Sequence, residues 1–469
     1  MTEALWSLPV VRLTPLFASR TVTPLDALDS VLARLRAVNP RLNAVIAQDE
    51  AGAWAAARAS TERWARGAAL GVLDGVPFTV KDNIPAAGLP TSWGSAAWRA
   101  RAATGKDFLE DELPVARSRA AGAVLIGKTN VPEFTAQGYT SNALSGPTRN
   151  PWNTALTPGG SSGGAVAAVS AGIGPFALGT DGGGSIRRPA SHTGLFGLKP
   201  SLGRVARRDG LPAILLEYEV IGPMARCVAD LVAVMTVIAR PDPRDPASTL
   251  LPPFAVPEPR RRRVLHVPRF ADHPVDPEIT ASTDAIARAL SALGHDVVTG
   301  PAPFDVAAAA VIQATVSQAG LAWLERDYGV APVADGLREM AAQGAGLSAG
   351  ALFAALNAAA ELRRHLGAFF TAYDLILTPA AAALPWPAED THPPMIAGLP
   401  AGPRGHAVFT AFANIAGLPG ISVPGPRSSG GLPIGVQLVG APGADGLLLA
   451  VAGQLEQACP GDGGWPMLE

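Results

Sequence analysis

Two serines sit inside glycine runs, Gly159-Gly160-Ser161-Ser162-Gly163-Gly164 and Asp181-Gly182-Gly183-Gly184-Ser185-Ile186-Arg187, with Ser161 and Ser185 24 positions apart. Glycine opens backbone conformations closed to other residues and lets a substrate approach the main chain. A hydroxyl ending such a run, with N–H groups aimed at the same spot, is the chemistry of an acyl-transfer nucleophile beside an oxyanion hole. Such a serine needs a base. His192 is the only histidine near the runs, but a helix starting at Ser185 carries position 192 well below the nucleophile, so it reads as a packed or hydrogen-bonded histidine. Lys81 is the other candidate. It ends the apolar run Gly75-Val76-Pro77-Phe78-Thr79-Val80, where desolvation favours the neutral amine, and a neutral amine is a competent general base. From this segment alone, a strand-end lysine paired with Asp82 reads equally well.

Two other patterns compete for attention. Gly122-Ala123-Val124-Leu125-Ile126-Gly127-Lys128-Thr129 fits the P-loop letter for letter, yet its apolar strand falls inside the motif instead of before it, which argues against a phosphate cradle. Gly160-Ser161-Ser162-Gly163-Gly164 fits a nucleophile elbow with Ser162 at its centre. That reading needs Asp374 with His392 or His406 downstream and an apolar strand leading in, whereas Pro158 stands there instead.

Taken together, the segments resemble the amidase signature family. The matching stretches are Gly75 to Asn83, Gly127-Lys128-Thr129-Asn130-Val131-Pro132-Glu133-Phe134, Asn150-Pro151-Trp152-Asn153, and both glycine–serine runs on to Gly197-Leu198-Lys199-Pro200. Gly222 to Arg226, Gly417-Leu418-Pro419 and Gly431 to Gln437 extend the resemblance. It implies Ser185 as the acylated nucleophile, Ser161 as the proton-relaying cis-serine and Lys81 as the base behind it. It implies an oxyanion hole from Gly182, Gly183 and Gly184 with Ser185, and an Asp181–Arg187 pair bracing the loop. Relatives often carry a larger residue where Gly182 stands. The implied activity is hydrolysis of a carboxylic amide or related C–N bond through a seryl acyl-enzyme, with no metal and no cofactor. The alternative is the glutaminase component of a tRNA-dependent amidotransferase, although no charged pair for the α-groups of glutamine is recognisable from Val306 to Ala401. Acyl-side contacts are expected from Trp93, Phe134, Gln137, Tyr139 and the 306–400 segment around Trp386, on their proximity to the motif loops. Those aromatics serve equally well as core.

These residues must be held by a frame, and the pattern describes one. Thr23-Pro24-Leu25-Asp26 opens a helix with Leu28, Leu32, Leu35 and Val38 at helical spacing and Asn39-Pro40 as its stop; Asp276-Pro277 opens another that Gly294 ends. Short apolar stretches, Val76 to Val80, Val124 to Ile126, Leu375 to Leu377 and Val436 to Val439, read as buried strands. Ala165 to Leu178 reads as a buried, alanine-rich helix, too short and too interrupted to span a bilayer. The expectation is an α/β fold with a central mixed, largely buried β-sheet covered by α-helices on both faces. It forms one domain over 1–469: a catalytic core at about 60–230, a Pro-rich connector at 240–259, a smaller αβ and helical subregion at about 264–400, and 405–455 completing the sheet.

With 37 basic and 39 acidic residues, charge gives no reason to expect nucleic acid; the run Arg260 to Arg263 reads as a solvated edge. Two cysteines, Cys227 and Cys459, make neither a disulfide framework nor a four-ligand zinc site. Met1 to Trp6 shows no basic-then-apolar leader pattern. A cytoplasmic protein is expected, with a small-molecule amide as substrate, no nucleic acid, no membrane, and a homodimer as an allowed assembly.

Overall fold

The structure, a computed structural model, describes residues 3–102, 110–208, 210–459, 464–466 and 468. Met1 and Thr2, which open the segment without a leader pattern, lie outside these. Thirteen strands are seen among the described residues: β1 (Val45–Gln48), β2 (Pro77–Lys81), β3 (Val124–Thr129), β4 (Phe176–Asp181), β5 (Phe196–Lys199), β6 (Val220–Ala225), β7 (Arg263–His266), β8 (Asp296–Thr299), β9 (Leu375–Pro379), β10 (Met395–Ile396), β11 (Leu399–Pro400), β12 (Gly420–Gly425) and β13 (Ile434–Gly440). Eleven form one sheet in the order β1-β3-β2-β4-β6-β5-β12-β13-β9-β7-β8, and β10 and β11 pair as a separate hairpin. The sheet is mixed. β2 runs parallel to both β3 and β4, and β7 runs parallel to β8 and β9, while the joins between those sets are antiparallel. Fourteen α-helices flank it among the described residues.

Burial explains why the strands carrying the chemistry are nearly continuous apolar runs. Every residue of β2, β3 and β4 is buried, and Phe78 stacks on Phe176 across the β2–β4 pair with centroids 5.1 Å apart. Because β2 and β4 are parallel neighbours, their carboxyl ends meet at one edge. Lys81 ends β2 and Asp181 ends β4 there. The short helix Gly163–Ser170 follows the first glycine run, and all eight of its residues are buried.

Two elements differ from the sequence reading. The stretch Ala165 to Leu178 is not one helix: the helix ends at Ser170, and Gly172 (φ +86°) and Gly174 (φ +82°) turn the chain into β4 at Phe176. Both glycines occupy left-handed backbone that breaks a helix and that other residues avoid. The first long helix runs Pro24–Leu42, so Asn39-Pro40 is not its stop. Pro40 is tolerated in the last turn, and Asn43 ends the helix with φ +51°. Asn39 accepts from the N–H groups of Ala44 and Val45, both at 2.9 Å, and so fixes the chain beyond that end.

Candidate active site

Lys81 is wholly buried at the end of β2. Its Nζ lies 2.8 Å from Ser161 Oγ and donates to the carbonyl (3.1 Å) and hydroxyl (2.8 Å) oxygens of Thr180 in β4. Thr180 Oγ1 also accepts from Asn83 Nδ2 at 3.0 Å. Burial pushes the lysine down to about 7. The charges of Glu219 and Asp181 oppose that shift, whereas Arg207 and Arg188 reinforce it. Asp82, the partner in the alternative reading of Lys81, points elsewhere: its carboxylate accepts from Ser92 Oγ at 2.5 Å.

The peptide bond between Gly160 and Ser161 is cis. A Cβ on Gly160 would stand 2.2 Å from the carbonyl oxygen of Tyr139, so only glycine lets the run pass that backbone. The two runs touch directly, with the Ser162 N–H donating to the carbonyl of Ser185 at 3.2 Å. Ser162 itself turns away from the cleft and donates its hydroxyl to Thr180 O at 3.2 Å.

Ser185 is 7% exposed and opens on a cleft lined also by Gly182, Gly183, Gln137, Arg188 and Arg404. The loop that presents it is wrapped around one carboxylate. Asp181 accepts from the N–H groups of Gly184 (2.6 Å) and Ile186 (3.0 Å), from Arg187 Nε (3.0 Å) and Nη2 (2.8 Å), and from Asn414 Nδ2 (2.9 Å). Burial alone would raise its pKa, but the Arg187 guanidinium against it holds the carboxyl well below the usual carboxylate range. Arg187 is itself wholly buried and reaches Gln437 Oε1 (2.5 Å), Asn414 Oδ1 (2.5 Å) and the carbonyl of Thr410 (3.1 Å). The N–H groups expected to serve as oxyanion donors differ in how they are engaged. The Gly184 N–H is engaged by Asp181, whereas those of Gly182, Gly183 and Ser185 have no acceptor among the described residues. Gly184 adopts φ +114°, and a Cβ there would lie 2.2 Å from Thr410 Oγ1.

The four expected substrate contacts are distributed unevenly. Gln137 lines the Ser185 cleft and Trp93 an adjoining one. Phe134 is wholly buried, packed edge-on against Trp93 at 5.3 Å. Tyr139 is half-buried and meets Gly160 through its backbone. The competing patterns resolve as structure. Lys128 is buried in β3 and donates to Ile84 O and Thr91 Oγ1. Asp374 accepts from Arg263 N (2.8 Å) and Arg262 Nη1 (3.3 Å). His192 is buried, its Nε2 3.2 Å from Ala383 O, and burial lowers its pKa to about 4. Sequence reasoning missed Thr180, Asn83, Asn414, Arg188 and Arg404. Thr180 and Arg188 adjoin the motif residues Asp181 and Arg187, but Arg404 and Asn414 lie more than 200 positions from Ser185 with no pattern to mark them. Among the described residues, no group of His, Cys, Asp and Glu side chains is arranged to hold a metal ion.

Comparison with known proteins agrees with this architecture. Residues 26–449 match the family model for amidases. The A-component of glutamyl-tRNA(Gln) amidotransferase from Synechococcus sp. (strain CC9605) is 37% identical over 482 residues, covering 94% of each chain. A bacterial aryl acylamidase of the amidase signature enzymes superposes with a TM-score of 0.87 at 28% identity, over 97% of this chain and 96% of that one. The substrate complex of 6-aminohexanoate cyclic dimer hydrolase does so with a TM-score of 0.87 at 31% identity, over 99% of this chain and 100% of the other. The matched family model spans both serine runs and the lysine strand, and the chain therefore belongs to the amidase signature family of enzymes.

Proposed function

We propose that this chain cleaves a carboxylic amide through an acyl-enzyme on Ser185. The observation that carries the reading is the set of partners around Lys81 Nζ. A neutral amine has two N–H donors and one lone pair. The two oxygens of Thr180 take the donors, and Ser161 Oγ at 2.8 Å is left to give its proton to the lone pair. Ser161 passes its proton to Lys81 and takes one from Ser185 as Ser185 Oγ adds to the amide carbonyl. The N–H groups of Gly182, Gly183 and Ser185 hold the oxyanion that forms. Ser161 then protonates the departing amine as Lys81 returns its proton to Ser161, and the C–N bond breaks. Water, giving its proton to the same Ser161–Lys81 relay, attacks the ester, and the acid leaves as that proton returns to Ser185. Ser185 Oγ has no hydrogen-bond partner among the described residues, as expected of a relay that tightens only around substrate.

The setting of this reaction has two readings, and the sequence relative favours one of them. Likeness to the glutamyl-tRNA(Gln) amidotransferase component over 94% of both chains supports a glutamine-hydrolysing member of a complex over a free-standing hydrolase of linear amides. Partner proteins and a tRNA-linked acceptor belong to that reading, in place of the expectation of no nucleic acid. A serine-directed fluorophosphonate should label the wild-type protein and not Ser185→Ala, and ammonia release from glutamine should disappear in the same variant. Normal turnover by folded Ser185→Ala would overturn the reading, and stable partner proteins in a native pull-down separate the two settings.

A further inference from the structure

Arg188 is 2% exposed, yet it has no anion against it. Its Nε donates to the carbonyl of Gly184 at 3.3 Å, and Nη1 lies 3.1 Å from His406 Nε2. A second guanidinium, Arg404, lines the same cleft and donates to the Ala136 carbonyl at 3.1 Å. No ion pair to either arginine occurs among the described residues. The two carboxylates in reach are already taken. Asp181 is held by Arg187, and Glu219, which also lines the cleft, pairs with Arg207 at 3.0 Å.

A buried cation without a counter-ion is costly, and a second cation beside it adds to that cost. Burial and Arg404 together pull Arg188 down to about 9. The surroundings hold the guanidinium in place without neutralising it. Burial, then the charge of Arg188, keeps His406 uncharged well below its ordinary range, so it serves as an acceptor and not as a third cation. Gly138 makes room for the pair: a Cβ there would stand 2.2 Å from His406 Nε2 and 3.1 Å from Arg188 Nη1. The mechanism above uses Arg187 for the loop and gives Arg188 no task.

We propose that Arg188 and Arg404 form a carboxylate subsite beside Ser185, so that the amide cleaved here carries an anionic group a short spacer away from its scissile carbonyl. The inference rests on the acyl-enzyme reading and names its substrate class. A planar guanidinium presents paired N–H donors to a carboxylate and gains most where water is excluded. Arg188 hangs from the carbonyl of the residue just before the nucleophile, which is why the spacer must be short. Two sources fit that chemistry, the α-carboxylate of glutamine and the free acid of a simple dicarboxylic half-amide.

The test is calorimetric titration of the Ser185→Ala protein with succinamate, neutral butyramide and glutamine. At least one carboxylate-bearing amide should bind about tenfold or more tighter than butyramide, the order of a charge-assisted contact. Arg404→Gln, at an exposed position, and Arg188→Lys should each shrink that preference, read as the ratio of the anionic amide's affinity to butyramide's in the same variant. Tighter glutamine points to the amino acid, and tighter succinamate to the half-amide; either supports the subsite. The absence of a preference for the anionic amides, including no binding of any of the three, overturns it, as does a preference that both variants retain. Fluorophosphonate labelling of wild-type Ser185 reports the acyl-enzyme reading separately, so either can fail alone.

Discussion

The base sets a pH dependence that can be worked out in advance. As the proposed base, Lys81 acts only when neutral, and burial pushes it down to about 7. The active fraction is then about a tenth at pH 6, half at pH 7 and nine-tenths at pH 8. An exposed lysine near its ordinary value would be neutral in only about 3 molecules in 10⁴ at pH 7, so burial enriches the working base by about a thousandfold. Below the bend, log kcat/KM for the best amide should rise with unit slope per pH unit and level off above about pH 8. Glu219 is the largest charge opposing the downward shift, so Glu219→Gln should move the bend to lower pH without changing its slope. The assay is initial-rate ammonia release across the range in buffers of constant ionic strength. A flat profile between about pH 5.5 and 8.5, or an acid limb that stays in place in Glu219→Gln, would refute lysine as the base.

Two stability predictions accompany it. The unfolded chain holds the Lys81 proton up to its ordinary value of 10.5, whereas the folded chain releases it at about 7, so the burial penalty is full below pH 7 and fades as pH rises towards 10.5. A Lys81→Met variant, inactive, should therefore gain most on the wild type at pH 6 and least near pH 10, against a ceiling of about 5 kcal/mol reduced by the hydrogen bonds it loses; a pH-independent difference in denaturant midpoint would contradict this. Asp181→Asn leaves Arg187 buried opposite a neutral amide and should cost about 3–5 kcal/mol, read as a lowered urea midpoint; a midpoint within error of wild type would show that the pair does not brace the loop.

Much of the site was legible because it is local. Lys81 ends an apolar run that reads as a strand, and Asp181 opens the second glycine run; the strand β4 that brings Asp181 alongside β2 does not read as one. The serines announced themselves through glycine. What stayed hidden depended on either backbone conformation or distance. The stretch Ala165 to Leu178 has the composition of a helix, and only the left-handed turns at Gly172 and Gly174 divide it into helix and strand. Trp93 and Phe134 sit in motif loops yet pack on each other, since large aromatic area is as useful to a core as to a substrate pocket. Asn414 and Arg404 come from the far end of the chain, and nothing in their own neighbourhoods distinguishes them from ordinary polar residues. Gln437 closes a stretch that carries the resemblance, but nothing in that stretch points to the Arg187 it meets.

That division carries a physical consequence for the glycine–serine loop. Glycine supplies the freedom to bend the loop, but freedom alone would leave the N–H groups unfixed and an oxyanion hole unformed. Asp181 removes that freedom by taking the N–H groups of Gly184 and Ile186. Its carboxylate therefore decides which donors remain: with Gly184 turned back at φ +114°, the N–H groups of Gly182, Gly183 and Ser185 are the ones without a partner among the described residues. Arg187 fastens the same carboxylate to Thr410, Asn414 and Gln437, so the geometry at Ser185 is set by residues more than 200 positions downstream. Arg188, the very next residue, lines the cleft and is held by the Gly184 carbonyl and His406, with no carboxylate paired to it among the described residues. Adjacent arginines of one short helix thus do opposite things, one neutralised to fix the backbone and one left positively charged towards whatever enters.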